Sequence, residues 1–92
     1  MTEADAIQTR LSAMRHIEAA GPRGLGADVI MASLNDEGWR VTAEQTMTIL
    51  HWLLDRGLLI HKRRDVTHTR PRYAITAAGL DALAREQDPF AE

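Results

Sequence analysis

VTAEQTMTILHWLLDRGLLI, residues 41–60, contains the start and the end of one helix and leads directly into a strand. Thr42 can cap free backbone N–H groups at a helix start, and Gln45, three positions later, can reach back to the Thr42 backbone. Gly57 is the residue type that ends many helices in the left-handed conformation. Between these signals, apolar side chains recur at helical spacing, at Ile49, Leu50, Leu53 and Leu54.

Two strand-like segments follow this helix and enclose a basic loop. Leu58–Arg63 and Arg72–Ile75 have strand composition, and HKRRDVTHTRP, residues 61–71, supplies the polar loop between them. Pro71 is tolerated there because proline can occupy the start of a strand. Helix, strand, basic loop and strand, in this order, predict a winged helix-turn-helix and make nucleic-acid binding the leading interpretation.

Two further helices are predicted upstream, from Thr2 or Glu3 to about Ala20 and from Ala27 to about Glu37. The glycine-rich segment between them gives Leu25 a short extended conformation, and the segment at Trp39 is expected to join the second and third helices as a short turn or strand. The inward side chains are expected to be Ile7, Leu11, Met14 and Ile17 on the first helix, and Val29, Ile30, Leu34 and Met31 on the second.

A last helix is predicted from Ala77 to about Gln87, capped by Thr76, with a frayed tail after it. Its inner face is expected to carry Leu80, Leu83 and Ala84. The predicted fold class is therefore α+β, mainly α, with three helices, a two-stranded β wing and a C-terminal helix. Residues 1–92 fit a single winged-helix domain.

The composition is ordinary for a soluble globular protein, with 45% apolar and 26% charged residues. The absence of cysteine excludes disulfides and thiolate metal sites, which agrees with a reducing compartment. The sequence contains no signal peptide or apolar run long enough to span a membrane, so we expect a cytoplasmic protein without membrane partners.

Positive charge is concentrated in one segment. The chain has a formal net charge of −2, from 11 Lys and Arg against 13 Asp and Glu. Residues 61–72 contain five basic residues and one acidic residue, a local charge of +4 that leaves −6 for the remainder. A local patch matters more than the total for contacting phosphate, although the surrounding acidic residues weaken long-range attraction.

The third helix and the basic loop provide the candidate DNA contacts. Gln45 can pair with adenine and Thr48 can contact a thymine methyl, whereas Glu44 would repel phosphate but can accept from cytosine. Basic loop residues can contact the phosphate backbone or enter the minor groove. Alternatively, these are a solvated helix face and a hairpin whose charges prevent strand pairing. The predicted DNA-binding residues are Thr42, Glu44, Gln45, Thr48, Lys62, Arg63, Arg64, Arg70 and Arg72.

No catalytic or cofactor-binding arrangement is evident. The four histidines fall on different predicted elements without the paired spacing of a zinc site, and no thiolate is present. Ser12 and Ser33 lack a neighbouring base or a nucleophile-elbow context. We therefore expect a protein without enzymatic activity, cofactor or metal.

WLLDRGLLI and YAITAAGLDAL together resemble the pattern of small bacterial winged-helix regulators of the ArsR, MarR and PadR type, over roughly the second half of the chain. More narrowly, the sequence is similar to the small ArsR-like winged-helix proteins of Mu-like prophages, without the metal-sensing cysteines of ArsR proteins. This resemblance implies a phage or prophage transcriptional regulator. It rests on Gly38, Val41, Thr42, Glu44, Gln45, Trp52, Leu53, Gly57, Leu58, Thr76, Gly79 and Leu80.

The expected partners are double-stranded DNA and a second copy of the chain. A domain of this length buries limited apolar area alone, and the helices at the two termini could form a homodimer. The alternative function is a winged-helix protein-interaction module without a direct role at DNA, in which Trp52 and the acidic surfaces contact another protein.

Overall fold

The computed structural model describes residues 2–62 and 71–85. Over these residues the chain is mainly helical, with four α-helices, a short 3-10 turn and a small antiparallel sheet. In chain order the elements are α1 (Glu3–Ala20), the 3-10 turn (Gly21–Arg23), β1 (Leu25–Gly26), α2 (Ala27–Asp36), α3 (Ala43–Asp55), β2 (Leu59–Lys62), β3 (Arg72–Ile75) and α4 (Ala77–Ala84). Within the described ranges, no helix combines the length and apolar character that crossing a bilayer requires.

Threonine caps begin three of the helices. Thr42 Oγ1 accepts from the Gln45 backbone N–H at 3.0 Å, and the Thr42 N–H donates to Gln45 Oε1 at 2.9 Å. This is the predicted capping box, and Thr2 and Asp5 form the same pair at the start of α1. Thr76 Oγ1 accepts from the Gly79 N–H at the start of α4. These caps satisfy backbone donors that a helix leaves unpaired in its first turn.

The predicted glycines end α2 and α3 through the same backbone motif. Gly57, with φ 73°, donates its N–H to the carbonyl of Leu54, and Leu58 donates to the carbonyl of Leu53. Gly38 and Trp39 make the equivalent bonds at the end of α2. The left-handed residue in this motif favours glycine, because a Cβ is disfavoured in that region.

The sheet has three strands in the order β1-β3-β2, with both pairings antiparallel. β3 pairs Tyr73 with Leu25 of β1 and with His61 of β2. The expectation of a two-stranded sheet was therefore incomplete, although the extended segment at Leu25 is confirmed. Of the two alternatives expected at Trp39, the strand is not formed, because the N–H and carbonyl of Val41 bond to the side chain of Asn35 rather than to a neighbouring strand.

The core lies between the helices and one face of the sheet. Its fully buried side chains include Met14 and Ile17 of α1, Ile30 and Leu34 of α2, and Leu50 and Leu53 of α3. Leu58, Leu59 and Tyr73 complete this cluster from the sheet side. A continuous apolar cluster of this kind is the main source of stability in a small domain.

Three side chains predicted to face the core, Val29, Leu80 and Ala84, are exposed instead. Val29 is 48% exposed, because α2 is only partly covered and its buried line runs through Ile30 and Leu34, four residues apart. Leu80 is 44% exposed, and α4 instead turns Gly79 and Ala82 inward. Leu83 packs against the core as expected, whereas Ala84 is exposed.

Glycine determines how closely α4 approaches the start of β2. A Cβ added at Gly79 would lie 2.6 Å from Ile75 Cγ1 and closer still to the carbonyl oxygen of Leu58. Thr76 strengthens this junction, since its N–H donates to the Leu58 carbonyl at 3.1 Å and its Oγ1 donates to the Gly57 carbonyl at 2.7 Å. The first turn of α4 is therefore attached directly to the segment that joins α3 to β2.

Candidate nucleic-acid interface

The first two turns of α3 present an exposed polar surface. Thr42, Glu44, Gln45 and Thr48 are all exposed, as the sequence predicted. Three of these side chains already make local hydrogen bonds, because Thr42 Oγ1 and Gln45 Oε1 form the capping box and Thr48 Oγ1 donates to the Glu44 carbonyl at 3.1 Å. Bidentate pairing of Gln45 with adenine would need that same oxygen. This arrangement therefore leaves the Gln45 amide nitrogen and the Thr48 methyl as the accessible groups.

The turn between α2 and α3 is closed by the side chain of Asn35. Asn35 Oδ1 accepts from the Val41 N–H at 2.6 Å, and Asn35 Nδ2 donates to the Val41 carbonyl at 3.1 Å. Val41 is 5% exposed, so these bonds satisfy two backbone groups that water reaches poorly. The clamp fixes the chain immediately before the N-cap residue Thr42.

Arg40 lies inside this turn and was not among the predicted site residues. It is exposed and has φ 54°, a left-handed conformation that is uncommon for residues other than glycine and asparagine. No residue in the described ranges forms an ion pair with it. Sequence periodicity carries no signal for this position, because the conformation depends on the Asn35 clamp.

Two basic residues stand opposite each other at one end of the β2–β3 hairpin. Lys62 and Arg72 are cross-strand partners, so their side chains share one face of the sheet. Lys62 is exposed and Arg72 is half-buried, and neither forms an ion pair with another described residue. The other predicted basic contacts, Arg63, Arg64 and Arg70, lie outside the described residues.

Acidic side chains accompany these cations. Glu44 is exposed in the first turn of α3 and Asp28 is exposed in the first turn of α2, where carboxylates interact favourably with the helix dipole. On α3 itself, Lys and Arg are absent from residues 43–55. Any attraction for phosphate must therefore come from the turn and the hairpin rather than from the outer face of α3.

Trp52 lies between two arginines at the junction of α1 and α3. The guanidinium carbon of Arg10 is 4.0 Å from the ring centroid, and that of Arg56 is 3.9 Å away. Such cation–π contacts contribute about 0.5–1 kcal/mol each at exposed sites. Trp52 is half-buried and also packs against the core, so much of its ring is already in contact with the protein.

Two histidines, His16 and His61, make contacts in different parts of the structure, and His51 is exposed. His16 Nε2 lies 2.8 Å from Glu37 Oε1 and connects α1 to the end of α2, while the His61 ring meets the Tyr73 ring edge-on at 5.0 Å. Within residues 2–62 and 71–85, no three His, Cys, Asp or Glu side chains form a group that could hold a metal ion.

No protein-family model matches this chain, and no curated protein matches its sequence.

Proposed function

We propose that this chain is a winged-helix protein that binds double-stranded DNA and acts as a transcriptional regulator of the phage or prophage type. The order α1, β1, α2, α3, β2, β3 supports this proposal, because it places a helix-turn-helix before the antiparallel pair of β2 and β3, residues 59–62 and 72–75, here called the wing. In this proposal α3 enters the major groove, and the wing contacts the phosphate backbone.

The observation that carries the proposal is that Lys62 and Arg72 stand opposite each other, with no ion-pair partner among the residues the structure describes. Like charges directly across an antiparallel pair destabilise it, so a protein gains nothing in stability from placing two cations there. An anion bridging both side chains would remove that repulsion. The sequence places Arg63, Arg64 and Arg70 in the segment between them, which adds positive charge to the same part of the chain.

A double charge-removing variant tests DNA binding by the wing. We expect Lys62→Gln with Arg72→Gln to weaken binding to all duplexes and to reduce the slope of log K against log salt by about 1.8, or 0.9 per lost phosphate contact. At about 0.15 M salt this corresponds to roughly a 30-fold loss of affinity. Fluorescence anisotropy of a labelled duplex, chosen by selection from random DNA, measures both quantities.

A matched control separates local contact from total charge. Arg15→Gln with Arg23→Gln also removes two positive charges, from exposed positions on α1 and the 3-10 turn. This control should change the salt slope far less than the wing variant. Equal slopes for the wing variant and the wild type would contradict phosphate contact by Lys62 and Arg72, and failure of the wild type to bind any selected duplex would contradict the function itself.

Arg40 supplies a second test of the proposed surface. Arg40→Asn should retain or slightly raise the melting temperature, because asparagine tolerates the left-handed conformation better than arginine does. The same variant should weaken DNA binding about fivefold at about 0.15 M salt and reduce the salt slope by about 0.9. Arg40→Lys, which keeps the charge, is the control and should preserve the slope. Unchanged binding by Arg40→Asn would remove Arg40 from the interface.

The proposal includes a homodimer formed through the helices at the two ends of the chain. Leu80 supports it, because a leucine that is 44% exposed on α4 leaves apolar surface that a second copy could cover. Two copies would place two α3 helices about one DNA turn apart and would favour a palindromic site. Light scattering over a range of protein concentrations measures the oligomeric state.

The Trp52 cluster favours a second candidate function, a protein-interaction module without a direct role at DNA. Aromatic and arginine side chains are enriched at the energetic centres of protein interfaces, and Arg10, Trp52 and Arg56 combine both. The DNA-binding experiment separates the two functions. If the wild type shows no salt-dependent binding to any selected duplex, the interaction module is favoured.

A further inference from the structure

An apolar cavity of about 330 Å³ opens between the first turns of α2 and α3 and the start of β3. Ala27 and Met31 line it from α2, Met47 lines it from α3, and Tyr73 lines it from β3. This volume lies at the lower end of the range for small-molecule sites, which are usually apolar with a few polar groups that fix orientation. The cavity is separate from the outward-facing side chains that form the proposed DNA surface.

Tyr73 lines this cavity, and its hydroxyl has no hydrogen-bond partner among the described residues. The residue is 3% exposed, and its ring is held by the edge-on contact with His61 and by its place in the central strand. No described residue hydrogen-bonds to the hydroxyl. The described residues also contain no sealed side-chain oxygen or nitrogen without a partner, so the hydroxyl must be reachable from outside. The cavity that Tyr73 lines provides that access.

The other polar side chains around the cavity are already engaged. Thr46 Oγ1 donates to the Thr42 carbonyl at 2.9 Å, and Asp28 Oδ1 accepts from the Val29 N–H at 3.0 Å. Tyr73 is therefore the group whose hydrogen-bonding capacity remains to be satisfied. Water can reach this hydroxyl, so a ligand that displaces that water must offer an acceptor in its place to avoid losing the hydrogen bond.

We propose that this cavity binds a small neutral molecule that combines an apolar ring with one hydrogen-bond acceptor, with the Tyr73 hydroxyl as the donor. The apolar walls would take the ring, and the acceptor would lie against the hydroxyl. This proposal concerns ligand binding by the chain itself and does not depend on DNA binding.

Charge selects a neutral ligand over an anionic one. Asp28 borders the cavity with an exposed carboxylate, which would repel a ligand carboxylate. Burial raises the pKa of Tyr73 above its ordinary value of 10.0, so the hydroxyl keeps its proton at neutral pH and remains a donor. A carbonyl compound fits both conditions, whereas benzoate fits the shape but not the charge.

Titration of the wild type with three probes tests the ligand class. Acetophenone has the ring and a carbonyl, ethylbenzene has the ring alone, and benzoate has the ring with a negative charge. Amide chemical shifts in NMR spectra should move with acetophenone around residues 27–31, 43–47 and 71–73, with a Kd of about 1 mM, as expected for so small a ligand. Benzoate should bind at least about tenfold more weakly. No shifts in these segments with up to about 10 mM acetophenone would overturn the proposal.

Two substitutions then locate the contacts. Tyr73→Phe keeps the ring and should weaken acetophenone binding about 3- to 10-fold. The amide chemical-shift changes at the first ethylbenzene additions should equal those of the wild type, because ethylbenzene has no acceptor for the hydroxyl. Ala27→Leu should fill the cavity and abolish binding of both probes, whereas Ala32→Leu, exposed on the same helix, should leave binding intact. Equal loss of both probes in Tyr73→Phe would overturn the role of the hydroxyl, and retained binding in Ala27→Leu would overturn the cavity as the site.

Discussion

Replacing Gly79 by alanine is expected to lower the free energy of unfolding by about 1–3 kcal/mol. Helix propensity alone predicts the opposite sign, since alanine exceeds glycine by about 1 kcal/mol in a helix interior. The added Cβ would lie 2.6 Å from Ile75 Cγ1 and even closer to the Leu58 carbonyl oxygen. The Ile75 side chain can rotate, but the backbone of Leu58 moves only if α4 separates from the sheet. Steric overlap therefore outweighs the gain in propensity.

Urea denaturation of the two proteins measures this difference directly. Ala78→Gly is the matched control, because Ala78 is exposed on the same helix and should lose only about 1 kcal/mol through propensity. A Gly79→Ala variant that is more stable than the wild type would show that α4 does not approach Leu58 as closely as described.

Replacing Asn35 by alanine is the second large effect, with an expected loss of about 2–4 kcal/mol in the free energy of unfolding. The substitution removes the amide group of Asn35, which bonds to both the N–H and the carbonyl of Val41. Val41 is 5% exposed, so water reaches these two groups poorly. A buried donor or acceptor without a partner costs about 1–3 kcal/mol. The turn would also lose the clamp that holds Arg40 in its left-handed conformation.

Asp36 provides the control for this substitution. It neighbours Asn35 in the last turn of α2, is exposed, and has no hydrogen bond from its side chain in the described structure. Asp36→Ala should change the free energy of unfolding by no more than about 0.5 kcal/mol. Thermal melting of Asn35→Ala and Asp36→Ala compares the two effects. Equal melting temperatures would show that the Asn35 clamp does not contribute to the stability of the fold.

The parts of the fold that the sequence predicted correctly are those set by residues close together in the chain. Thr42 and Gln45 lie within one turn of each other, and Gly57 is adjacent to the carbonyls that its motif satisfies. Helix starts and ends in the described ranges could therefore be placed to within two residues from local chemistry alone. The predicted end of the last helix, at about Gln87, lies outside the described residues.

The errors arose where contacts between distant elements decide the outcome. Val29 and Leu80 are apolar residues on short helices, and periodicity identifies an apolar stripe without saying which part of it a neighbouring element covers. The close packing at Gly79 could not be predicted, because no residue near it in the sequence indicates the approach of Leu58. Burial in a small domain depends on tertiary packing that local patterns do not encode.

In the candidate site, too, features set by local sequence were predicted, whereas features set by tertiary contacts were not. Helical spacing placed Glu44, Gln45 and Thr48 away from the apolar face of the third helix, and all three side chains are exposed. The opposition of Lys62 and Arg72, in contrast, depends on strand register, and Arg40 depends on a side-chain clamp. A basic segment can be read from a sequence, but the position of each charge relative to the others requires the fold.

The pairing of β1 with β3 closes a long loop and therefore carries a large cost in chain entropy. Leu25 and Tyr73 are cross-strand partners 48 positions apart, whereas Lys62 and Arg72 are only ten positions apart. For a flexible chain, the closure term is about 3 kcal/mol for the longer loop and about 2 kcal/mol for the shorter one. A strand of two residues returns few hydrogen bonds for the larger entropy loss. The pairing of β1 with β3 therefore depends on the helices between the two strands, because their formation reduces the number of flexible residues in the loop that must be closed.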